Sequence, residues 1–295
     1  MPSKRVKKMQ SIEATKSEMI EGMTADFVKR LARVLSKTAS NINVLVAQLE
    51  TSGERVVTNT LNLQRAVNAR VQIEEMLLQA GYRDNVQELL RAYDKIAALT
   101  RDGFTIGGAN VAFTRVDIRI LTTLKEMDFS RWESFGQDII ENVHQQIVNS
   151  VVAGARQKDI VKSFEDTLLG MGEKESLYES RARTLANTFA QSFDRVVIGR
   201  KAAEAGIETF VYLGPDDKLT RPFCTAALAG NGAAEFKIPD KDGAPIYTLA
   251  EIDKMENGTP LPPFQYGGGW NCRHRWRPVS AEIATEIREE QEAVA

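Results

Sequence analysis

The chain of 295 residues has little cysteine and little histidine, two of each. Two cysteines are too few for the disulfide framework of a small secreted domain. The opening residues MPSKRVKKMQ lack an apolar run, so we expect no secretory signal. Apolar runs elsewhere are far shorter than the roughly 20 residues that a membrane helix needs. These absences predict a soluble protein that is made in a cytoplasm and does not bind a membrane.

A large net charge of either sign is also missing, because 38 Lys and Arg residues stand against 40 Asp and Glu residues and give a formal net charge of −2. Such a balance gives no general attraction to nucleic acid, so any DNA contact would need a local basic patch. The hydrophobic fraction of 43% and the charged fraction of 26% are typical of a globular chain. Extensive disorder is therefore not expected.

Helical periodicity dominates the first two thirds of the chain. Apolar residues at steps of three and four over 20–49 predict a long amphipathic helix that Ser52 and Gly53 interrupt. A second helix is expected up to Gly81, with Leu63, Val67, Val71, Ile73, Met76 and Leu77 on its inner side. Further helices are predicted over 84–103, 116–127, 130–154, 157–169 and 175–205. The run DGFTIGGAN after residue 101 indicates a loop.

The pattern changes after Gly206. Alternating residues over 207–213 predict a strand, and frequent Gly and Pro up to Pro278 predict short strands and turns. Thr248 and Glu251 form a capping box for a brief helix. The expected fold is mainly α, with long amphipathic helices followed by a small C-terminal α+β module closed by zinc or a disulfide. We divide it into a helical arm (1–129), a helical body (130–206), a Cys/His module (207–280) and a charged tail (281–295).

Three rare side chains fall in two short segments of the module: Cys224, Cys272 and His274. Thiols and imidazoles are good zinc ligands, and a Cys-x-His pair can reach one ion from a strand or a tight turn. Asp216, Asp217 or a water could supply the fourth ligand. Closed structural sites use four protein ligands, so a disulfide between the two cysteines, or two buried free thiols, remain as alternatives.

Polar residues beside the cysteines suggest a fixed loop. Asp217 followed by Thr220 is typical of a turn in which the carboxylate accepts main-chain N–H groups. Arg221 could then bind a carboxylate or a carbonyl of a neighbouring loop. The alternative is a site for phosphate or nucleic acid formed by Arg221, Arg273, Arg275 and Arg277.

A basic segment lies at the start of the chain, formed by Lys4, Arg5, Lys7 and Lys8. It could contact DNA or an acidic partner, or it could be a disordered end.

Catalytic motifs are missing. The chain contains no His-Glu-x-x-His or His-x-Glu pattern and no Gly-x-Ser-x-Gly elbow. We therefore expect no enzyme. The alternative functions are a zinc-dependent hydrolase or nuclease, or a DNA-binding module, that uses the Cys/His/Arg cluster.

The two segments resemble the signature of the phage Mu F-like minor head proteins, also called phage head-morphogenesis proteins. That signature is Asp-x-x-Thr-Arg-x-x-Cys, then His-x-Asn-Cys-Arg-Cys and Pro-Val. The first part corresponds to Asp217, Thr220, Arg221 and Cys224. The second corresponds to Asn271, Cys272, Arg273, Pro278 and Val279. Gly269 replaces the family's histidine and His274 replaces its last cysteine, so one metal-capable side chain is kept and one is lost.

The similarity covers about 130–280, is specific only over 181–279, and does not extend to 1–129. It implies a structural component of a tailed-phage head, located in the virion and assembled in the host cytoplasm. The implied partners are the portal and the major capsid protein, with several copies per particle. The implied role is head morphogenesis or the handling of packaged DNA. The helices of the arm would then pack against portal or capsid subunits.

Overall fold

A computed structural model of the chain describes residues 4–106, 111–112, 114–171 and 175–292, without the side chains of 4–6, 116 and 291–292. Its first part contains α1 (Lys4–Ala47), a hairpin of β1 (Thr51–Ser52) and β2 (Arg55–Val56), α2 (Thr60–Gln79), α3 (Tyr82–Ile106), α4 (Arg115–Val152), α5 (Gln157–Leu169) and α6 (Leu177–Glu204). None of the helices in these residues is long and apolar enough to cross a membrane.

The remaining elements are short. They are β3 (Thr209–Leu213), α7 (Pro222–Ala229), β4 (Asn231–Ala233), β5 (Ile238–Asp240), β6 (Ile246–Thr248), α8 (Leu249–Ile252), α9 (Pro263–Tyr266), β7 (Arg275–Pro278) and α10 (Ala281–Glu292). An antiparallel sheet has the order β6-β3-β7, and β4 pairs with β5. The predicted fold class, mainly α with a small α+β module, is confirmed.

Contacts group the chain into two compact units. The C-terminal unit comprises Met1–Met23, Ala92–Leu124 and Thr184–Ala295, and the helical unit comprises Thr24–Arg91 and Lys125–Arg183. Helices α1, α3, α4 and α6 each contribute residues to both. The expected division into arm, body, module and tail stays a prediction.

The helical unit has an aromatic core. The rings of Phe27 and Trp132 lie 4.7 Å apart, and Phe135 meets Trp132 edge-on at 5.5 Å. Gly136 packs against the ring of Tyr82, whose hydroxyl donates to the main-chain oxygen of Trp132 at 2.5 Å. Each such ring buries a large apolar area in the core of this unit.

The predicted inner face of α2 is partly wrong. Val67 and Val71 are 62% and 58% exposed. The buried side is formed instead by Asn62, Ala66, Ala69, Ile73 and Leu77. Two of these five residues are alanines and one is an asparagine, and a count of large apolar residues does not detect such a face.

Two predicted breaks are absent from the described residues. Helix α4 continues through 127–130, where no Gly or Pro stands, and the Ser130 hydroxyl donates to the Glu126 carbonyl at 3.1 Å. Helix α3 continues through Gly103 to Ile106. A side chain at Gly103 would collide with the guanidinium of Arg277, so glycine serves close packing there. Residues 107–110 of the expected loop lie outside the described part.

The sheet of the C-terminal unit is buried on both faces. Strand β3 places Phe210 and Tyr212 in one core, with Trp276, and Val211 in another. Helix α10 covers the second face through Ile283 and other apolar residues, so the described part of the charged tail is a packed helix. The capping box at Thr248 and Glu251 is present and begins α8.

Candidate metal centre

The fold brings the three predicted ligands together. Cys224 lies in the first turn of α7, and Cys272 and His274 lie just before β7. The two Sγ atoms are 3.7 Å apart, and Cys272 Sγ is 3.7 Å from His274 Nδ1. The three side chains could hold one metal ion, because their ligand atoms all lie within 4.8 Å of one another. The residues are 1%, 4% and 2% exposed, so the centre is closed to solvent.

These distances suit a tetrahedral ion. Zinc binds sulfur at about 2.3 Å and imidazole nitrogen at about 2.0 Å, so a tetrahedron has S–S and S–N edges of about 3.8 and 3.5 Å. The observed edges are 3.7 and 3.7 Å. Both cysteines are free thiols, and their separation is far longer than the roughly 2.05 Å of a disulfide. The alternative of a disulfide between them is therefore not formed in this structure.

The imidazole of His274 is held in a metal-binding orientation. Its Nε2 lies 2.8 Å from the carbonyl oxygen of Pro215. A carbonyl oxygen can only accept, so Nε2 carries a hydrogen, and Nδ1 is the ring atom that faces Cys272. Metal-ligating histidines commonly donate their other N–H to such an oxygen. The ring also stacks on Tyr212, with centroids 5.4 Å apart.

The two sulfur atoms differ in their environment. The two thiols share a hydrogen bond in which either sulfur could be the donor. This bond, with burial, raises the pKa of Cys224. The same bond lowers the pKa of Cys272 well below its usual range, against burial and with help from His274 and Arg195. The Gly268 N–H donates to Cys272 Sγ at 3.2 Å, and the Tyr212 hydroxyl donates to Cys224 Sγ at 3.4 Å. Cys272 is therefore the sulfur that loses its proton more readily, to give the thiolate form that binds metals.

Glycines face all three ligand side chains. A Cβ at Gly267 would lie 2.6 Å from Cys272 Sγ, and a Cβ at Gly268 would lie 2.5 Å from Cys224 Sγ. A Cβ at Gly214 would collide with the ring of His274. The run GGGWNCRH is therefore part of the site itself. Its first two glycines let the main chain pack directly on the two sulfur atoms.

Arg195 on α6 is a site residue that the sequence does not reveal. Its guanidinium is buried and donates to the main-chain oxygens of Gln265, Cys272 and His274. Burial lowers the pKa of Arg195, and the proximity of Cys272 opposes this effect most strongly. No sequence motif surrounds this residue.

Asp217 and Thr220 fix the loop before α7. The Asp217 carboxylate accepts the Leu219 N–H at 2.9 Å and Arg273 Nη2 at 2.7 Å, and the bond from Arg273 lowers its pKa to about 2. The Thr220 hydroxyl donates to the Pro215 carbonyl at 3.0 Å. Asp217 is absent from the cluster of ligands, so the expectation of it as a fourth ligand is wrong for this conformation. In the described part of the chain, no further acidic, cysteine or histidine ligand joins the three.

Arg221 and Asn271 tie the second segment in place. Arg221 donates to the main-chain oxygens of Gly268 and Trp270, at 2.9 and 2.5 Å. Asn271 has a φ of 59°, which non-glycine residues rarely adopt, and its N–H donates to the Thr188 hydroxyl at 3.1 Å. These contacts agree with the internal hydrogen-bonding interpretation of both residues.

The nucleic-acid interpretation of Arg275 and Arg277 is wrong for this conformation, because both are buried. Arg275 Nε donates to Asp194 Oδ2 at 2.6 Å, and Arg277 forms an ion pair with Glu13. Neither guanidinium can reach a phosphate in solvent.

The basic segment at the start of the chain belongs to α1 from Lys4 onward. Lys7 and Lys8 are exposed, whereas the side chains of Lys4 and Arg5 lie outside the described part. Binding of DNA or of an acidic partner there stays a prediction.

Comparison with family models, with curated proteins and with solved structures finds no match to this chain. The similarity to phage minor head proteins therefore rests on the residues of the two motifs.

Proposed function

We propose that the protein is a structural minor head protein of a tailed bacteriophage. It associates with the portal or the major capsid protein in a few copies and takes part in head morphogenesis or the handling of packaged DNA. The observation that carries the proposal is the convergence of the two motif halves. Cys224 and Cys272, 48 residues apart, meet in one buried cluster.

The other motif residues support the same grouping. Asp217 of the first half bonds Arg273 of the second, and Arg221 of the first half holds the carbonyls of Gly268 and Trp270. Asp217, Arg221, Cys224, Cys272 and Arg273 therefore join the two distant loops. A structural role in holding these loops together explains the signature without any catalytic step.

The ion that we assign to the centre is zinc. Thiolate and imidazole ligands favour zinc over magnesium or calcium, which prefer oxygen. The strands of the segment 207–280 have only three to five residues, so a metal cross-link between Cys224 and Cys272 would help to fix the loops that join them.

Burial of the ligands favours a structural zinc over the alternative of a hydrolase or nuclease. A catalytic zinc needs an open position that substrate can reach and a nearby base. All three ligands are at most 4% exposed, and the nearby Asp217 carboxylate is held by Arg273. The buried Arg275 and Arg277 also remove half of the arginines that a DNA-binding module would use.

The proposal is tested in assembling particles. An epitope-tagged chain is expressed with the complete set of head proteins, and proheads and mature particles are purified separately. Quantitative mass spectrometry should find the chain in particles at a low copy number relative to the major capsid protein. An abundant cytoplasmic host protein serves as the control for carry-over. Absence of the chain from both particle types would contradict the virion role.

The zinc assignment has a separate test. Elemental analysis of the purified protein should give one zinc ion per chain, and thiol titration should detect the two cysteines only after denaturation. A protein with no metal and two titratable native thiols would reject the zinc centre and leave the virion role to the first experiment.

A further inference from the structure

We propose that Arg195 is a positioning residue of the metal centre, whose guanidinium holds the ligand-bearing loop in its binding geometry before the ion arrives. This inference rests on the zinc centre proposed above. Arg195 lies outside both motif segments, on α6. Its basis is a set of hydrogen bonds to main-chain oxygens of the ligands themselves.

The guanidinium joins three points of one loop. Arg195 Nη2 donates to the Cys272 oxygen at 2.6 Å and to the His274 oxygen at 2.7 Å, and Nε donates to the His274 oxygen at 3.1 Å. Nη1 donates to the Gln265 oxygen at 3.1 Å. Gln265 precedes the glycines that pack on sulfur, so Arg195 holds the loop at both of its ends.

This loop needs such support because it contains Gly267, Gly268 and Gly269 in a row. Glycine loses more main-chain freedom on ordering than any other residue. A metal that had to order this loop on binding would lose affinity by the free energy of ordering. Hydrogen bonds from the helix to this loop would place part of that cost in folding instead.

Among the described residues, the hydrogen-bond partners of Arg195 are main-chain oxygens and include no carboxylate. The neighbouring carboxylate of Asp194 accepts bonds from Lys16, Thr100 and Arg275 instead. A buried cation is costly unless its environment stabilises it. Here carbonyl dipoles and the Cys272 sulfur provide that environment, so the cation and the centre are mutually dependent.

Only arginine fits this role. The planar guanidinium offers five N–H donors in a fixed fork, whereas lysine offers one ammonium on a flexible stem. A lysine at this position keeps the charge and cannot bond three separated carbonyls at once. The Arg195→Lys variant therefore separates positioning from charge.

The test compares zinc affinity in Arg195→Lys, Arg195→Met and Lys201→Met of the full-length chain. Lys201 is a matched control, since it is a buried cation on the same helix. It bonds Asp117 at 2.6 Å, the Ala112 oxygen at 2.7 Å and Glu204 at 2.7 Å. Affinity is measured by competition with a chromophoric chelator. Both Arg195 variants should bind zinc about 10- to 100-fold more weakly, the usual effect of losing an outer-shell partner.

The control should lose thermal stability and keep the wild-type zinc affinity. Cobalt substitution adds a second measurement, because a misplaced ligand set changes the d–d absorption bands of bound Co²⁺. Arg195 variants that lose stability but keep wild-type zinc affinity and cobalt spectra would overturn the proposal. If Arg195→Met does not fold, the Arg195→Lys result decides. A wild-type chain that binds no zinc would remove the zinc centre together with this inference.

Discussion

Asp194 is the acid on which a buried cluster of charges depends. Its Oδ1 accepts Lys16 Nζ at 2.6 Å and its Oδ2 accepts Arg275 Nε at 2.6 Å. Burial acts to raise the pKa of Asp194, but the two cations together outweigh it and hold that pKa below its ordinary value. The Asp194→Asn substitution keeps the shape and removes the charge, so Lys16 and Arg275 stay buried without their shared anion.

Loss of one partner from a buried ion pair costs about 3–5 kcal/mol. Glu13 remains 3.3 Å from Arg275, so we expect the lower end, about 3 kcal/mol. Asp159→Asn is a matched control, because Asp159 also lies 2.6 Å from an arginine but is 48% exposed. Exposed pairs contribute about 0–1 kcal/mol. Urea denaturation followed by near-UV circular dichroism measures both. Equal losses in the two variants would refute the reasoning.

Two further predictions concern Lys16 and Gly268. Burial lowers the pKa of Lys16 to about 8, against the pull of Asp194, so the unfolded chain binds more protons between pH 8 and the ordinary lysine value of 10.5. The free energy of unfolding should therefore rise through that pH window, by up to about 3 kcal/mol more in wild type than in Lys16→Met. Parallel profiles of unfolding free energy against pH in the two proteins would contradict this. Gly268→Ala should weaken zinc binding and destabilise the chain by about 1–3 kcal/mol, because its Cβ would overlap Cys224 Sγ. Gly22→Ala is the control, because a Cβ there meets nothing within 4 Å, and it should be neutral or stabilising. Equal melting temperatures of Gly268→Ala and Gly22→Ala would count against the packing argument.

Local signals account for the parts of the fold that the sequence predicts well. The span of α5 and the capping box at Thr248 and Glu251 match the structure. Both depend on residues within one or two helical turns of each other. The sequence does not predict that α4 is continuous. The residues between the two predicted helices carry no signal that distinguishes one long helix from two shorter ones.

Long-range contacts account for what the sequence does not predict. From the sequence alone, Arg275 would be expected at the surface. It is buried because it bonds Asp194, which is 81 residues away in the chain. Cys224, Cys272 and His274 could be selected because their residue types are rare and suited to metals. Arg195 could not be selected from the sequence. It contacts the centre only through main-chain carbonyl oxygens, and because every residue has a carbonyl oxygen, the sequence does not show which ones an arginine will bond.

The central claim is that two distant loops close on one zinc ion through Cys224, Cys272 and His274. X-ray absorption at the zinc edge of the purified full-length protein tests it most directly. The account predicts a mixed shell with two sulfur neighbours at about 2.3 Å and nitrogen at about 2.0 Å. A shell of oxygen and nitrogen alone, unchanged in Cys272→Ser, would contradict it.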